Sequence, residues 1–363
     1  MAKNLSFHRQ LVKQIGDEHT NIAADGLNSS EYSGTIDTGA HIFNAGLSGS
    51  LFGGMPNNKV LALAGETTTG KTFFALGLVK RFLDDNPDSA CIYFDTETAV
   101  TKEMFLDRGC DPERIIISEP ETVQQFKHRA LQILAAYETT PESQRPKMLF
   151  VLDSLGQLST TKEMDDSTAG SDTRDMTRSQ QIRSAFRTIR LKAAKLEVPI
   201  IVTNHTYEVI GSYVPTKDMS GGGGLKFAAD QIVFLSKSKE RDKTTKEVIG
   251  NVIKIRVVKS RLSRENTEFK VLLTYSGGLD RYYGLVDLAI KHGVFKKTMK
   301  KVQLPDGTEV FESHIQKKPE NYFTKEILDQ LEKAAQQDFT YGSFIDSPPS
   351  NTDEEDEEKE SEE

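Results

Sequence analysis

The chain has 363 residues and a formal net charge of −8 at pH 7; 37% of its residues are hydrophobic and 28% are charged. This composition predicts a soluble globular protein of one large or two modest domains and excludes a largely disordered chain. No apolar run approaches the ~20 residues of a bilayer span, so we expect no membrane partner.

The start of the chain and its cysteines indicate a reducing compartment. Met1-Ala2-Lys3-Asn4 lacks the apolar stretch of a secretory signal. Cys91 and Cys110 lie apart without metal-ligand spacing, which favours buried free thiols over a disulfide or a zinc site. We therefore expect a cytoplasmic location.

The acidic charge is concentrated in residues 353–363, which contain nine acids and one lysine. This segment alone accounts for the net charge, so the rest of the chain is balanced. Two interpretations fit residues 343–363: a disordered, solvated acidic tail, or a mobile polyanion that competes with nucleic acid for a basic groove.

Residues 1–34 begin with a short amphipathic helix, Leu5 to Ile15, which is interpreted either as a subunit-docking arm or as a frayed terminus. From about residue 40, apolar strands alternate with helical periodicity, which predicts a parallel sheet covered on both faces. The predicted strands are Val60 to Ala64, Cys91 to Phe94, Ile115 to Ile117, Met148 to Leu152 and Pro199 to Thr203; the predicted helices are Phe73 to Phe82, Val123 to Tyr137 and Met176 to Leu196.

A phosphate-binding motif follows the first of these strands. It reads Gly65-Glu66-Thr67-Thr68-Thr69-Gly70-Lys71-Thr72, which matches G-x-x-x-x-G-K-T, and an apolar helix comes next. In this pattern backbone N–H groups point at phosphate oxygens and the helix N-terminus adds positive charge. We expect Lys71 to reach the β- and γ-phosphates and Thr72 to hold Mg²⁺. An ordinary Gly/Thr-rich turn is the alternative.

Acidic and polar side chains follow three other predicted strands. Asp153 would lie beside the metal held by Thr72, although an aspartate there also caps helices. Glu97 would polarise the water that attacks the γ-phosphate, unless Asp95 or Glu97 merely caps the next helix. His205 would sense the γ-phosphate, or simply make a local hydrogen bond.

Two long polar segments, 159–175 and 206–224, interrupt the α/β pattern. Structureless stretches beyond ~12–15 residues are usually functional or disordered. Aromatic and cationic side chains in the second segment suit stacking on the bases of a single strand whose phosphates are neutralised nearby. A pair of lids over the nucleotide is the alternative.

An arginine stripe, formed by Arg183, Arg187 and Arg190, runs beside the apolar face of the helix that follows the first segment. A solvated helix face is the ordinary interpretation of such a stripe.

The chain becomes β-rich after Asp230, with strands that would extend the sheet in antiparallel fashion: Gln231 to Leu235, Asn251 to Val258 and Glu268 to Thr274. Residues 284–342 predict a smaller α+β unit with a hairpin at Pro305-Asp306-Gly307 and a helix over Thr324 to Gln336.

In this order the motifs resemble those of a RecA-family recombinase, most closely of the bacteriophage UvsX type. They are the phosphate motif, Asp95-x-Glu97, Leu152 to Gly156, the first polar segment, Asn204 to Glu208, the glycine-rich segment and Val258 to Arg261. The resemblance covers about residues 35–295. It implies an α/β fold: a RecA-like ATPase core over 35–283, with a mostly parallel sheet flanked by helices, an N-terminal oligomerisation arm (1–34) and a small C-terminal domain (284–342).

The resemblance also implies roles for particular residues. ATP would bind the phosphate motif, with Glu97 activating water, Asp153 beside Mg²⁺ and His205 sensing the γ-phosphate. Lys259 and Arg261 resemble a pair that a neighbouring subunit inserts against the phosphates. Lys226 and Phe227 resemble a filament-interface segment. The two polar segments match DNA-binding loops, and the implied DNA contacts are Arg187, Tyr207, Ile210, Tyr213, Lys217, Gly221 and Gly222.

Two positions depart from the family pattern. Met104 stands where an aromatic residue often stacks on adenine, and Glu66 stands where relatives often carry proline.

The resemblance implies a DNA-dependent ATPase that forms helical filaments on single-stranded DNA, pairs it with homologous duplex DNA and exchanges strands in recombination and repair. The implied partners are both forms of DNA, further copies of the chain, a single-strand-binding protein and a loading mediator, in the host cytoplasm if the protein is phage-encoded. A ring-shaped hexameric helicase and a non-catalytic ATP-binding regulator of recombination are the alternatives.

Overall fold

The structure is a computed structural model that describes residues 7–16, 20–25, 31–171, 175–208, 217–220, 223–240, 250–274 and 278–342. The helices are α1 (Phe7–Ile15), α2 (His41–Ser48), α3 (Lys71–Asp85), α4 (Lys102–Asp107), α5 (Val123–Glu138), α6 (Thr161–Thr168), α7 (Arg178–Lys195), α8 (Gly223–Ala228), α9 (Leu285–Lys291), α10 (Glu312–Lys317) and α11 (Lys325–Phe339). The strands are β1 (Thr35–Ile36), β2 (Met55–Pro56), β3 (Val60–Gly65), β4 (Ala90–Asp95), β5 (Ile115–Ser118), β6 (Met148–Asp153), β7 (Ile200–Glu208), β8 (Lys217–Met219), β9 (Gln231–Glu240), β10 (Gly250–Ser260), β11 (Glu268–Thr274), β12 (Gly278–Leu279), β13 (Lys296–Lys297), β14 (Val302–Gln303) and β15 (Glu309–Val310).

The central sheet has the strand order β12-β11-β10-β9-β3-β7-β6-β4-β5. From β9 to β5 every neighbouring pair is parallel, whereas β10 and β11 are antiparallel. Every residue of β3 and β6 is buried, because helices cover both faces of a parallel sheet. The predicted mostly parallel, helix-flanked sheet is confirmed, with β9 joining its parallel part rather than the antiparallel extension.

Alternate residues along the strands enter two separate cores. Tyr93 of β4 lies in the core under α2, α3 and the C-terminal helices, and Phe94 lies in the core under α5 and α7, as the two-residue period of a strand requires. The Phe94 ring meets the rings of Phe126 and Phe150 edge-on, at centroid distances of 5.0 and 5.5 Å. The helices are therefore fixed to the sheet, and the strand ends form a rigid edge.

Both cysteines are buried free thiols, as predicted. Burial raises the pKa of each, that of Cys110 to about 11, so they remain protonated and inert at neutral pH.

The C-terminal unit packs on the first of the two cores. Leu331 and Phe339 of α11 belong to the same buried cluster as α2 and β11, and the Leu51 N–H donates to Glu332 Oε2 at 2.7 Å. The predicted hairpin lies between β14 and β15, and the predicted helix extends three residues further, to Phe339. The C-terminal unit thus shares a continuous hydrophobic core with α2 and β11.

The first polar segment differs from the expected structureless loop, because α6 occupies its middle. Thr160 accepts a hydrogen bond from the Glu163 N–H while Glu163 accepts one from the Thr160 N–H, which is a capping box. The sequence signal, Thr followed three residues later by Glu, was present.

At the amino end, α1 exposes Phe7, Leu11 and Ile15, so its role as a docking arm stays a prediction, as do the domain boundaries. None of the helices within the described ranges combines the length and apolarity needed to cross a bilayer. The acidic tail, residues 343–363, lies outside the described residues.

Candidate nucleotide-binding site

The predicted site residues meet at one edge of the sheet, where β3, β4, β6 and β7 end. Parallel pairing sets Gly65 opposite His205 and Asp95 opposite Asp153. The carboxyl ends of parallel strands are where open α/β sheets bind ligands. The strand order therefore brings the phosphate motif together with Glu97, Asp153 and His205.

The phosphate motif forms a tight loop that needs its glycines. A Cβ on Gly65 would lie 2.6 Å from Thr69 Oγ1 and 2.8 Å from the Leu235 carbonyl oxygen, and Gly70 has a φ of +90°. Helix α3 then begins at Lys71 without a side-chain cap on its first N–H groups. Unpaired N–H groups at a helix N-terminus suit phosphate oxygens.

The Lys71 ammonium points into this loop. Its Nζ lies 3.2 Å from the Gly65 carbonyl oxygen, 3.0 Å from that of Glu66 and 3.5 Å from His205 Nδ1. Burial lowers the pKa of Lys71, while the Glu97 and Asp153 carboxylates act in the opposite direction. A bound phosphate would replace the weak carbonyl partners with a charged one.

The two predicted metal-side residues are in direct contact. Thr72 Oγ1 donates to Asp153 Oδ2 at 2.7 Å, and the Tyr93 hydroxyl donates to the same oxygen at 2.8 Å. Thr203 donates to the other carboxylate oxygen. A hydroxyl and a carboxylate are the oxygen ligands Mg²⁺ accepts while keeping several waters, so the residues fit that ion.

Tyr93 and Thr203 are the partners of Asp153 that the sequence did not reveal. Burial and the neighbouring Asp153 raise the pKa of the Tyr93 hydroxyl, so it stays protonated and acts as a donor. Both residues lie on strands that flank β6, an adjacency set by the sheet order.

Glu97 is held by two groups, Ser154 directly after β6 and His205 on β7. Its Oε1 accepts from Ser154 Oγ at 2.5 Å and lies 3.0 Å from His205 Nε2. Burial would raise the pKa of Glu97, but the hydrogen bonds from Ser154 and His205 outweigh it, and the pKa is lowered. The carboxylate is therefore charged at neutral pH.

Neither Asp95 nor Glu97 caps the next helix, because the cap of α4 is Thr101, whose side chain accepts from the Met104 N–H. The turn before that helix is instead held by Asp95. Its carboxylate accepts hydrogen bonds from the backbone N–H groups of Glu97 and Ala99, at 3.0 and 3.4 Å, and of Val100. Glu97 is left to face the phosphate loop. Ser154, which orients Glu97, was not singled out in the sequence because a serine after a strand is a weak signal.

A cleft of about 200 Å³ adjoins the phosphate loop at Thr68, Thr69 and Gly70 and extends to Phe73 and Arg108. The Arg108 guanidinium lies 4.1 Å from the Phe73 ring centroid. Met104 is partly buried against the core and does not line this cleft. An adenine contact at Met104 stays a prediction.

The second polar segment is joined to the nucleotide edge. The Ser220 N–H donates to the His205 carbonyl oxygen at 2.9 Å, and Asn204 Nδ2 donates to the Ser220 carbonyl oxygen at 2.8 Å. Lys217 forms an ion pair with Glu66 of the phosphate loop. Half-exposed Tyr207 is the next-to-last residue of β7. Ile210, Tyr213, Gly221 and Gly222 lie outside the described residues.

The arginine stripe is divided among different contacts. Arg190 binds Asp230, and the Arg183 guanidinium lies 4.5 Å from the Phe227 ring centroid. Arg187 is exposed, and no described residue pairs with it. Among the described residues, Arg187 is therefore the one arginine of the stripe whose charge is left for a ligand.

Lys259 and Arg261 lie away from the phosphate loop of their own chain. Lys259 is opposite Ile232 in the sheet, and Ile232 is opposite Ala62 of β3, so the pair lies toward the amino end of β3. At ~3.3 Å per strand residue, about 10–15 Å of sheet separates them from the loop after Gly65. The contacts that the pair makes, with the Lys226 carbonyl oxygen and the Asp230 carboxylate, are therefore away from that loop.

Lys226 and the exposed Phe227 lie on α8 beside that pair. Lys259 Nζ donates to the Lys226 carbonyl oxygen at 2.7 Å, and Lys226 Nζ lies 2.5 Å from Asp218 Oδ1. The proposed interface residues are therefore contiguous.

Comparison with known proteins agrees with this geometry. The model of the RecA N-terminal domain family matches residues 8–280. The "Recombination and repair protein" of Enterobacteria phage T4 is 31% identical over 262 residues, which cover 72% of this chain and 65% of the T4 protein. "Protein RecA" of Cereibacter sphaeroides (strain ATCC 17023) is 27% identical over 253 residues, 68% of each chain, and that of Acidothermus cellulolyticus is 25% identical over 306 residues, 82% of each. The match thus spans slightly less than two thirds of the T4 protein's length, and because it covers most of this chain, the chain belongs to the RecA N-terminal domain family.

Proposed function

We propose that this protein is an ATP-dependent homologous recombination protein, which assembles as a helical filament on single-stranded DNA, pairs it with homologous duplex DNA and exchanges strands while hydrolysing ATP. The observation that carries the proposal is the single sheet edge that unites the phosphate loop, Glu97 and His205 with the base of the second polar segment. The relatives named for recombination and repair support it.

ATP would bind with its phosphates in the loop before α3 and against Lys71. Bound Mg²⁺ would offset phosphate charge, held by Thr72 and Asp153. Glu97 would accept a hydrogen bond from the attacking water and orient it toward the γ-phosphorus. Its charged state, maintained by Ser154 and His205, suits it for that role.

The γ-phosphate would be sensed at His205, which lies between Lys71 and Glu97. A phosphate oxygen there would compete for the histidine and shift its ring. Because β7 continues from His205 into the second polar segment, and Ser220 is hydrogen-bonded to both Asn204 and His205, such a shift would reposition that segment.

A neighbouring subunit would complete the site with Lys259 and Arg261, which we call the trans pair. Their distance from their own phosphate loop supports this assignment, as does the contact of Lys259 with Lys226 on α8. Cations supplied in trans stabilise the charge that develops during phosphoryl transfer. The remaining partners would be a single-strand-binding protein and a loading mediator, in the cytoplasm.

Negative-stain microscopy with circular single-stranded DNA and a non-hydrolysable ATP analogue tests the function. We expect helical filaments with DNA and analogue together, and none with the Lys71→Ala variant, which lacks the phosphate-binding cation. Closed rings would instead identify a helicase. A chain that stays monomeric with both ligands, or assembles without ever hydrolysing ATP, would contradict the proposal.

Arg187→Ala should weaken binding of single-stranded DNA, because Arg187 is the exposed, unpaired cation of the α7 stripe within the described residues. We expect the slope of log affinity against log salt concentration to become shallower by about 0.7, the value for one single-strand phosphate contact. Fluorescence anisotropy across a salt titration measures it. Lys147→Ala, which removes an exposed cation directly before β6, at the amino ends of the parallel strands, is the matched control. Equal slopes for both variants would remove Arg187 from the DNA contact.

A further inference from the structure

The surface that carries the trans pair is built around one buried carboxylate, that of Asp230, which is 1% exposed. Its backbone N–H donates to the Val60 carbonyl oxygen at 2.9 Å, and the Val60 N–H donates to its Oδ2 at 3.1 Å. Asp230 is thereby fixed to the amino end of β3, the central strand of the site. It is a rigid anchor between the sheet and the subunit surface.

Arg190 of α7 binds this carboxylate with two nitrogens. Its Nη2 donates to Oδ1 at 2.7 Å and its Nε donates to Oδ2 at 3.2 Å. Such two-point pairing fixes orientation as well as charge. A buried carboxylate needs a compensating partner of this kind, so Arg190 accounts for the stability of Asp230.

Asp230 also faces Arg261 of the trans pair. Arg261 Nε lies 3.4 Å from Asp230 Oδ1, and the Arg261 side chain is 52% exposed. No described residue accepts a hydrogen bond from its guanidinium. The Asp230 carboxylate therefore contacts Arg261 through Nε. The two outer nitrogens of the Arg261 guanidinium remain open to a ligand.

The same carboxylate keeps two like charges together. Burial and the Arg261 charge lower the pKa of Lys259, and Asp230 acts in the opposite direction. The pKa of buried Lys59 is likewise lowered by burial and by the charges of Arg190 and Arg261, while Asp230 acts in the opposite direction. The acids near this cluster are Asp230 and, beside Lys259, Glu265. Four cations around these two acids leave an excess of positive charge, which is the charge a triphosphate would require.

We propose that Asp230 and Arg190 are positioning residues for the trans pair: they hold Arg261 and Lys259 in the arrangement that grips the nucleotide phosphates of the adjacent subunit. This inference rests on the proposed function, since it concerns the same intersubunit site. Neither residue would touch the nucleotide. Their effect would appear in the neighbour's ATP hydrolysis and leave ATP binding to their own chain unchanged.

Asp230→Asn keeps the size of the side chain and removes its charge. We expect DNA-stimulated turnover to fall ~10–100-fold, the scale of a misplaced reacting group, with the affinity of the free protomer for ATP unchanged. Asp338→Asn, which breaks an ion pair with Lys291 in the C-terminal unit, is the control and should keep its turnover. Unchanged turnover in Asp230→Asn would overturn the inference.

Mixed filaments separate positioning from a merely structural role. Glu97→Gln keeps the trans pair intact but lacks the water-orienting carboxylate, whereas Asp230→Asn keeps the phosphate loop and Glu97. In an equimolar mixture about one quarter of head-to-tail contacts would combine an intact loop with an intact trans pair, so hydrolysis should reappear. A mixture of Asp230→Asn with Lys259→Ala should show no more hydrolysis than the two variants show separately, because both defects lie in the donated element.

A mixture of Glu97→Gln with Lys259→Ala distinguishes the possible failures. If it recovers activity while Glu97→Gln with Asp230→Asn does not, the positioning role is wrong and the proposed function stands. If neither recovers, donation in trans is wrong, and the inference falls with it. Asp230→Asn leaves the Arg190 guanidinium without its charged partner, which could destabilise the fold. The double variant Asp230→Asn/Arg190→Gln removes both charges, and thermal unfolding checks that it is folded. It is tested in the same mixtures, and recovery of hydrolysis with Glu97→Gln is interpreted as for Asp230→Asn.

Discussion

Lys259→Ala should abolish most DNA-stimulated ATP hydrolysis while leaving ATP binding to the protomer almost unchanged. Lys259 lies toward the opposite end of β3 from its own phosphate loop, so its removal leaves that loop intact. Cations supplied in trans to a transferring phosphoryl group contribute ~10³–10⁵-fold in rate, and we expect a loss toward the lower limit because Arg261 remains. Steady-state hydrolysis at saturating single-stranded DNA and equilibrium binding of a fluorescent ATP analogue measure the two effects.

The matched control is Lys254→Ala on the same strand. Lys254 pairs with Glu268 across the sheet, away from the trans pair, and its loss should not change turnover. If Lys259→Ala turns over ATP at the normal rate with saturating DNA, Lys259 has no role in trans. If it instead loses ATP binding as a free protomer, the lysine serves its own chain.

Glu97→Gln should retain ATP binding and filament assembly but lose hydrolysis by ~10²–10⁴-fold, the usual contribution of a positioned general base. The amide keeps the size of the side chain and can still accept from Ser154, yet it cannot draw a proton from water. Filaments formed with ATP should therefore persist. Single-turnover hydrolysis measures the chemical step, and light scattering after dilution measures filament lifetime.

The pH dependence gives a second test of Glu97. Burial raises the pKa of Glu97, but hydrogen bonds from Ser154 and His205 lower it further, so the pKa lies below that of an ordinary glutamate. The carboxylate is therefore ionised at neutral pH and becomes protonated only in acid. Hydrolysis by the wild type should show no inflection from Glu97 between pH 6 and 8. Ser154→Ala removes one of these hydrogen bonds and should move the acid limb of the rate profile upward. A Glu97→Gln variant that hydrolyses ATP normally would assign the base elsewhere.

Much of the site could be read from the order of strands and motifs. Gly65 to Thr72, Asp153 and His205 each follow an apolar strand, and the carboxyl ends of parallel strands meet at one edge. That rule was sufficient to predict that these side chains share a site. It did not separate Asp95 from Glu97, because both follow the same strand and either could cap a helix.

The arginine stripe shows why surface predictions were less secure. Helical periodicity placed Arg183, Arg187 and Arg190 on one side of α7, but periodicity does not reveal what packs against that side. Arg190 meets Asp230 because the chain returns after α8 to place β9 beside β3. Arg190 and Asp230 are 40 positions apart, so helical periodicity could not reveal their ion pair. Arg190 is therefore paired within the chain, whereas Arg187 is exposed.

By itself, the sequence determined the elements whose cause is local: the glycine-dependent phosphate loop, the buried strands and the helical faces. The cause of α6, its capping box, is also local, but the helix was not predicted. Only the tertiary structure decided which hydroxyls reach Asp153, which carboxylate faces His205, and where the trans pair lies relative to its own phosphate loop. The reason is physical: backbone geometry and the periodic burial of side chains are set by a few neighbouring residues. The contacts at the site depend instead on the strand order β9-β3-β7-β6-β4, which is selected by the packing of helices on both faces of the sheet.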